Sequence, residues 1–83
     1  MENKKIGEII HYFGDIKVAI IRLSDNLKVG EKIRVAGGEN TDFTQEVKSI
    51  EVEHEKIEKA KKGQEVGVKL NKKAREGYEV YKV

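Results

Sequence analysis

Few residues of this chain carry side chains that could do chemistry. His11 and His54 are its two histidines, and Ser24 and Ser49 have no neighbouring residue that reads as a base. Nucleophilic or acid–base catalysis needs a reactive group beside partners that shift its pKa. Cysteine is absent, which removes thiolate zinc sites and disulfides together. His54 lies between Glu53 and Glu55, which in a strand would point to the opposite face. The metal-protease, Walker, dinucleotide and nucleophile-elbow spacings do not occur. Gly37-Gly38 is a lone glycine pair, read as a turn rather than a phosphate cradle. A non-enzyme is expected, with no metal, no cofactor and no nucleotide.

Binding residues are easier to find. Lys59, Lys61 and Lys62 cluster before Gly63, and Lys69, Lys72, Lys73 and Arg75 follow shortly after. If the fold brings these turns together, they form one patch able to contact the phosphates of RNA or the ribosome. The competing reading is a solvated rim balanced by Glu55, Glu58, Glu65 and Glu76. His11-Tyr12-Phe13 ends an apolar run, where alternating rings could offer a stacking platform for unpaired bases. Alternatively, Tyr12 or Phe13 fills the end of the core.

The elements that must position these residues follow from apolar spacing, which runs mostly at period two. Lys5–Phe13 reads as a first strand, closed by a Gly14-Asp15 turn, and Val18–Ile21 as a second, central one. Ser24-Asp25-Asn26 favours a turn. Leu27–Val35 alternates around Gly30, whose expected role is a positive-φ turn before the third strand. Gly37-Gly38-Glu39-Asn40 reads as a loop. Thr44–Glu53 reads as one long fourth strand with a β-bulge at Lys48-Ser49, because Val47 and Ile50 are an odd step apart. Val66, Val68 and Leu70 mark a fifth strand, and Tyr78 to Val83 a sixth. His54–Lys62 is made of good helix formers, so a connection with at most one helical turn is expected there.

With 83 residues, the chain has room for a single domain, 1–83, with residues 1–4 expected as a disordered tail. Charged residues make up 39% of the chain, and most of them are expected to form a solvated surface. Residues 1–53 carry 8 basic and 10 acidic side chains, whereas residues 54–83 carry 9 and 5. A basic C-terminal third could meet a polyanion. No apolar run is long enough for a membrane span or a signal peptide, so a soluble, cytoplasmic protein with no membrane partner is expected. Six short strands with glycine-bearing turns predict an all-β fold, a small closed six-stranded antiparallel barrel of Greek-key type.

Two resemblances bear on function. Leu27 to Val35, Val47-Lys48-Ser49-Ile50, Ala60 to Val68 and Arg75-Glu76-Gly77 with Val80 resemble, in order, the second β-barrel domain of translational GTPases such as elongation factor Tu. Where that domain carries an Arg-Gly pair, Asn71 and Lys72 stand here, so aminoacyl-tRNA binding in that manner is not implied. His11-Tyr12-Phe13, Leu27 to Ile33, Thr41-Asp42-Phe43 and Glu53-His54 resemble still more closely the small C-terminal barrel of the collagenase-like peptidase family. The first resemblance implies a fold of the translation-protein kind and an RNA-facing or ribosome-facing role. Joined to the basic and aromatic residues above, it gives an expected stand-alone module that contacts RNA or the ribosome through Lys61, Lys62, Lys69, Lys72, Lys73, Arg75, His11 and Tyr12. The second implies a protein-interaction module docking on a separately encoded collagenase-like peptidase or RNA-modifying enzyme, a partner protein that an exposed apolar patch would mark.

Overall fold

The structure, a computed structural model, describes residues 4–38 and 41–83. Among them the chain is all β. The strands are β1 (Lys4–Phe13), β2 (Val18–Leu23), β3 (Leu27–Lys28), β4 (Lys32–Gly37), β5 (Thr41–Glu46), β6 (Ile50–Val52), β7 (Glu55–Ile57), β8 (Lys59–Ala60), β9 (Glu65–Lys69) and β10 (Glu79–Lys82). Eight of them form one antiparallel sheet in the order β5-β4-β10-β1-β2-β9-β6-β7, while β3 and β8 pair separately. The expected tail is corrected at Lys4, which pairs with Lys82. Residues 1–3 and the Glu39-Asn40 part of the expected loop lie outside the described residues.

The core follows the period-two pattern. Ile6 and Ile9 of β1, Ala19, Ile21 and Leu23 of β2, Ile33 and Val35 of β4, Val66 and Val68 of β9 and Val80 of β10 are buried together. In β1 the step from Ile6 to Ile9 is odd. A register shift against β10 between Lys5 and Gly7 accommodates that step, and one against β2 between Ile9 and His11 brings Tyr12 back to the core face. Gly7 sits where β1 crowds β2: a Cβ there would lie 2.6 Å from the Arg22 carbonyl oxygen.

Three expectations are corrected. The closed six-stranded barrel is instead an open eight-stranded sheet with a two-stranded ribbon, and β5 and β7 stand at the sheet's ends. A side-chain amide bridges part of the gap beside β5. The buried Gln45 donates from Nε2 to the Lys69 carbonyl at 2.9 Å, and its Oε1 accepts the Asn71 N–H at 2.7 Å. The long fourth strand is two strands. Between β5 and β6, Val47 exchanges backbone hydrogen bonds with Gly30 and Glu31, and the chain changes partner from β4 to β9. The odd step at Val47–Ile50 therefore marks a break in pairing, not a bulge.

The connection expected over 54–62, with at most one helical turn, is instead strand, holding β7 and β8. Val52 pairs with Glu55, so Glu53 and His54 form a two-residue hairpin turn, with φ of 52° and 68°. Such turns need φ > 0 at both central residues. Two non-glycine residues hide that signal, and tertiary pairing overrides the helical propensity of the lysines and glutamates that follow. Gly30 does take positive φ, 96°, as expected.

Candidate functional site

The basic residues do not form one patch. Lys61 and Lys62 lie in the turn that binds the end of β2, where the Gly63 N–H donates to the Leu23 carbonyl and the Leu23 N–H to the Gln64 carbonyl. Lys69 ends β9 on the opposite side, next to Val18 in register. The length of β9 alone separates the two ends by about 13 Å. Lys72 and Lys73 lie near Lys69 and line a shallow hollow of about 130 Å³ with Thr41, Asp42 and Phe43. The Lys72 Nζ sits 6.0 Å from the centre of the Phe43 ring. Arg75 is exposed and belongs to the turn before β10, where its carbonyl accepts the Tyr78 N–H. A lysine cluster read along the chain is split because β9 runs the length of the sheet between its halves.

The aromatic triplet is split too. His11 and Phe13 share the outer surface, edge to face with ring centroids 4.4 Å apart, and the His11 Nδ1 lies 3.0 Å from a Glu76 carboxylate oxygen. Tyr12 alternates to the other face and packs against the core, where its buried hydroxyl finds no hydrogen-bond partner among the described residues. The three rings therefore do not make a common stacking platform.

The glycine pair has a packing role. A Cβ on Gly37 would lie 2.3 Å from Tyr78 Cδ1, so the Tyr78 ring occupies the space a side chain would need. The Tyr78 hydroxyl reaches Thr41 Oγ1 at 3.4 Å. This anchors the start of β5, which Arg34 also grips: its Nε meets Asp42 Oδ1 at 2.7 Å and its Nη2 meets Oδ2 at 2.5 Å. The guanidinium hydrogen bond holds the Asp42 carboxyl below its ordinary value.

A different constellation appears on the outer face of the sheet. The registers align Phe13, Val18 and Lys69 in one row, and His11, Ile20, Gly67, Glu51 and Lys56 in the next. Strand alternation turns Val18, Ile20 and Gly67 away from the core. With Phe13 and Ile16, which are 45% and 58% exposed, they form an apolar groove of about 360 Å³ rimmed by Glu51, Glu53, Glu65 and His54. Gly67 floors it. The three atoms nearest to a Cβ there would belong to Val18, Ile20 and Glu51, the nearest at 3.4 Å, so the floor is low because a side chain is missing. Glu65 pairs with Arg22 at 3.2 Å, while Glu51 and Glu53 make no ion pair among the described residues.

Sequence reading missed this groove. Val18 and Ile20 read as buried on both faces of a central strand, and Ile16 sits in a turn. The available signal was that the second apolar face of β2 has no partner layer in a chain this short.

Among the described residues no group of three or more His, Asp or Glu is placed to hold a metal ion. No described helix is long and apolar enough to cross a membrane.

No protein-family model matches the chain. Over 77 residues, 93% of its length, it is 40% identical to an uncharacterized protease of Methanocaldococcus jannaschii, of which it covers 19%. It is 31% identical over 78 residues to a collagenase of Porphyromonas gingivalis, of which it covers 22%. The chain thus spans about a fifth of the length of the curated relatives it matches. Among solved structures it superposes, with a TM-score of 0.90 and 20% identity, on the C-terminal domain of a Geobacillus thermoleovorans protein assigned to the U32 peptidases. That match covers 96% of this chain and 92% of the other. These relatives overturn the translation reading, because they are collagenase and protease proteins rather than elongation factors. RNA or ribosome binding loses the likeness that motivated it. The chain is a homologue of a domain-sized segment of collagenase-like proteins, and its fold is that of a U32 peptidase C-terminal domain.

Proposed function

We propose that this domain is a non-catalytic docking module for the remainder of a collagenase-like protein, whether that remainder is joined to it or separate. The observation that carries the reading is the half-exposed apolar groove of Phe13, Ile16, Val18, Ile20 and Gly67. Exposed apolar surface on a domain this small favours a partner that covers it. Two of the stretches that resemble the collagenase-like barrel meet there: His11-Tyr12-Phe13 brings Phe13, and Glu53-His54 brings both its residues.

The backbone adds support. Glu53 and His54 hold left-handed φ values that asparagine and glycine would adopt at less cost. Strain of this kind tends to persist where side chains serve a site. With Glu51 and Glu53 on its rim, the groove suits a segment that inserts an apolar side chain and flanks it with lysine or arginine.

The test is a calorimetric titration against the M. jannaschii and P. gingivalis relatives, each with its own matching segment deleted. Saturable binding that Ile16→Asp and Ile20→Lys each abolish is the expected result. Binding that both substitutions leave intact would exclude this face, and no heat with either relative would exclude the docking reading.

A further inference from the structure

A second concave site shares no residue with the docking groove. Lys28 of β3, Lys59 of β8, Lys61 of the following turn and Lys82 of β10 converge with Asn26, Glu31 and Ala60 around a hollow of about 440 Å³. The lining holds four lysines and one carboxylate, and that carboxylate is already engaged. Glu31 Oε1 accepts the Lys28 backbone N–H at 2.7 Å, and Oε2 meets the Lys82 Nζ at 3.1 Å.

The ladder itself sets like charges together. Lys28 stands directly opposite Lys59 in the β3–β8 ribbon, and Lys4 opposite Lys82 in β1–β10. Lysines directly opposite one another destabilise a strand pair. Lys4 turns to Asp25, 2.6 Å away, whereas no carboxylate lies in ion-pair range of Lys28, Lys59 or Lys61 among the described residues. Asn26 adds polar capacity: its Oδ1 accepts the Lys62 N–H at 3.3 Å, which leaves its amide NH₂ as a donor.

We infer that this hollow is a binding site for a compact multivalent phosphate anion, held by Lys28, Lys59, Lys61 and Lys82. Its volume falls within the range of small-ligand sites. Lysines from three stretches of the chain, at 28, 59–61 and 82, surround a concavity rather than track along a flat face, which suits a compact anion better than an extended polymer. An anion placed between Lys28 and Lys59 turns a repulsive strand pair into a bridged one, so binding and stability are linked. Pairing of β3 with β8 sets Lys28 beside Lys59, and pairing of β10 with β4 brings Lys82 to Glu31, so stretches far apart in sequence are gathered at the hollow.

The test uses the whole chain and inorganic tripolyphosphate, with sodium chloride of equal ionic strength as the control. Tripolyphosphate should raise the melting temperature saturably and beyond the chloride control. Amide NMR shifts should concentrate at residues 26–31 and 59–61. Lys28→Gln with Lys59→Gln should weaken binding by about tenfold or more. Without ligand at low salt, the same double variant should melt higher than the parent, because the repulsion is gone. An effect that chloride reproduces, an undiminished affinity in the double variant, or a double variant that melts lower without ligand would each overturn the assignment. Lys61→Gln, in a turn outside the ladder, gives a second affinity comparison that does not touch strand pairing. It too should weaken tripolyphosphate binding, and unchanged affinity would remove Lys61 from the site.

Discussion

Placing valine at Gly67 should fill the docking groove from below without harming the fold. The Cβ meets Val18 Cγ1 at 3.4 Å, Ile20 Cδ1 at 3.6 Å and the Glu51 carbonyl oxygen at 3.7 Å, all ordinary contacts, and Gly67 lies outside the left-handed φ region. Glycine inside a strand costs about 0.5–1 kcal/mol through its unfolded-state freedom, and valine adds strand preference on a scale that spans about 1 kcal/mol. A gain of about 1 kcal/mol is expected, which for a domain of this size raises the melting temperature by about 4–8 °C. The same three carbons exclude an inserted apolar side chain whose full burial is worth about 1.5–3 kcal/mol. Affinity for the remainder of a collagenase-like protein should therefore fall by about tenfold to a hundredfold. Thermal melts and calorimetric titration of the one variant read both effects. A melting temperature that drops would refute the packing argument. A raised melting temperature with unchanged affinity would refute the docking face.

Gly37→Ala should act in the opposite sense on the fold. Its Cβ would sit 2.3 Å from Tyr78 Cδ1 and 3.0 Å from the Tyr78 Cα, so the ring and its backbone must move, at about 1–3 kcal/mol, which urea unfolding would show as a lower midpoint. Replacing Glu53-His54 by Asn-Gly should stabilise the β6–β7 hairpin, because both positions hold positive φ. A gain of about 1 kcal/mol is expected, and a loss would argue against the two-residue turn. Asp42 and Asp25 are held below their ordinary 3.8 by hydrogen bonds from Arg34 and Lys4 respectively. A depressed carboxylate gives stability that is complete well above 3.8 and is lost as pH falls through the lower folded value. Urea midpoints should therefore decline from about pH 5 to about pH 3, and Asp42→Asn should decline less. Equal slopes would remove the Arg34–Asp42 pair from acid stability.

The strands were legible where one face is apolar and the other polar. Ile33 and Val35 of β4, and Val66 and Val68 of β9, fall where alternation put them. The positive-φ turn at Gly30 was legible because only glycine adopts it freely. What was lost lies in pairing, which a single strand does not encode. Thr44–Glu53 reads as one continuous strand, yet the chain there serves β4 first and β9 second. Closure was inferred from strand number, whereas part of the gap beside β5 is bridged by one glutamine amide, which carries no period. The basic cluster is divided for a related reason. Neighbours in sequence were treated as neighbours in space, but β9 carries Lys69 away from Lys62. Lys28, Lys59 and Lys82, scattered along the chain, meet instead. The docking groove was hidden because alternation shows which residues face outward but not which outward faces lie side by side.

The most direct measurement is amide chemical-shift mapping of this protein as the remainder of a collagenase-like relative is added. Docking through the outer face should shift or broaden Phe13, Ile16, Val18, Ile20, Glu51 and Gly67, and leave Lys28 and Lys59 unmoved. Perturbations confined to the hollow lined by Lys28, Lys59, Lys61 and Lys82 or to β4 and β5, or no perturbation at all, would contradict the account.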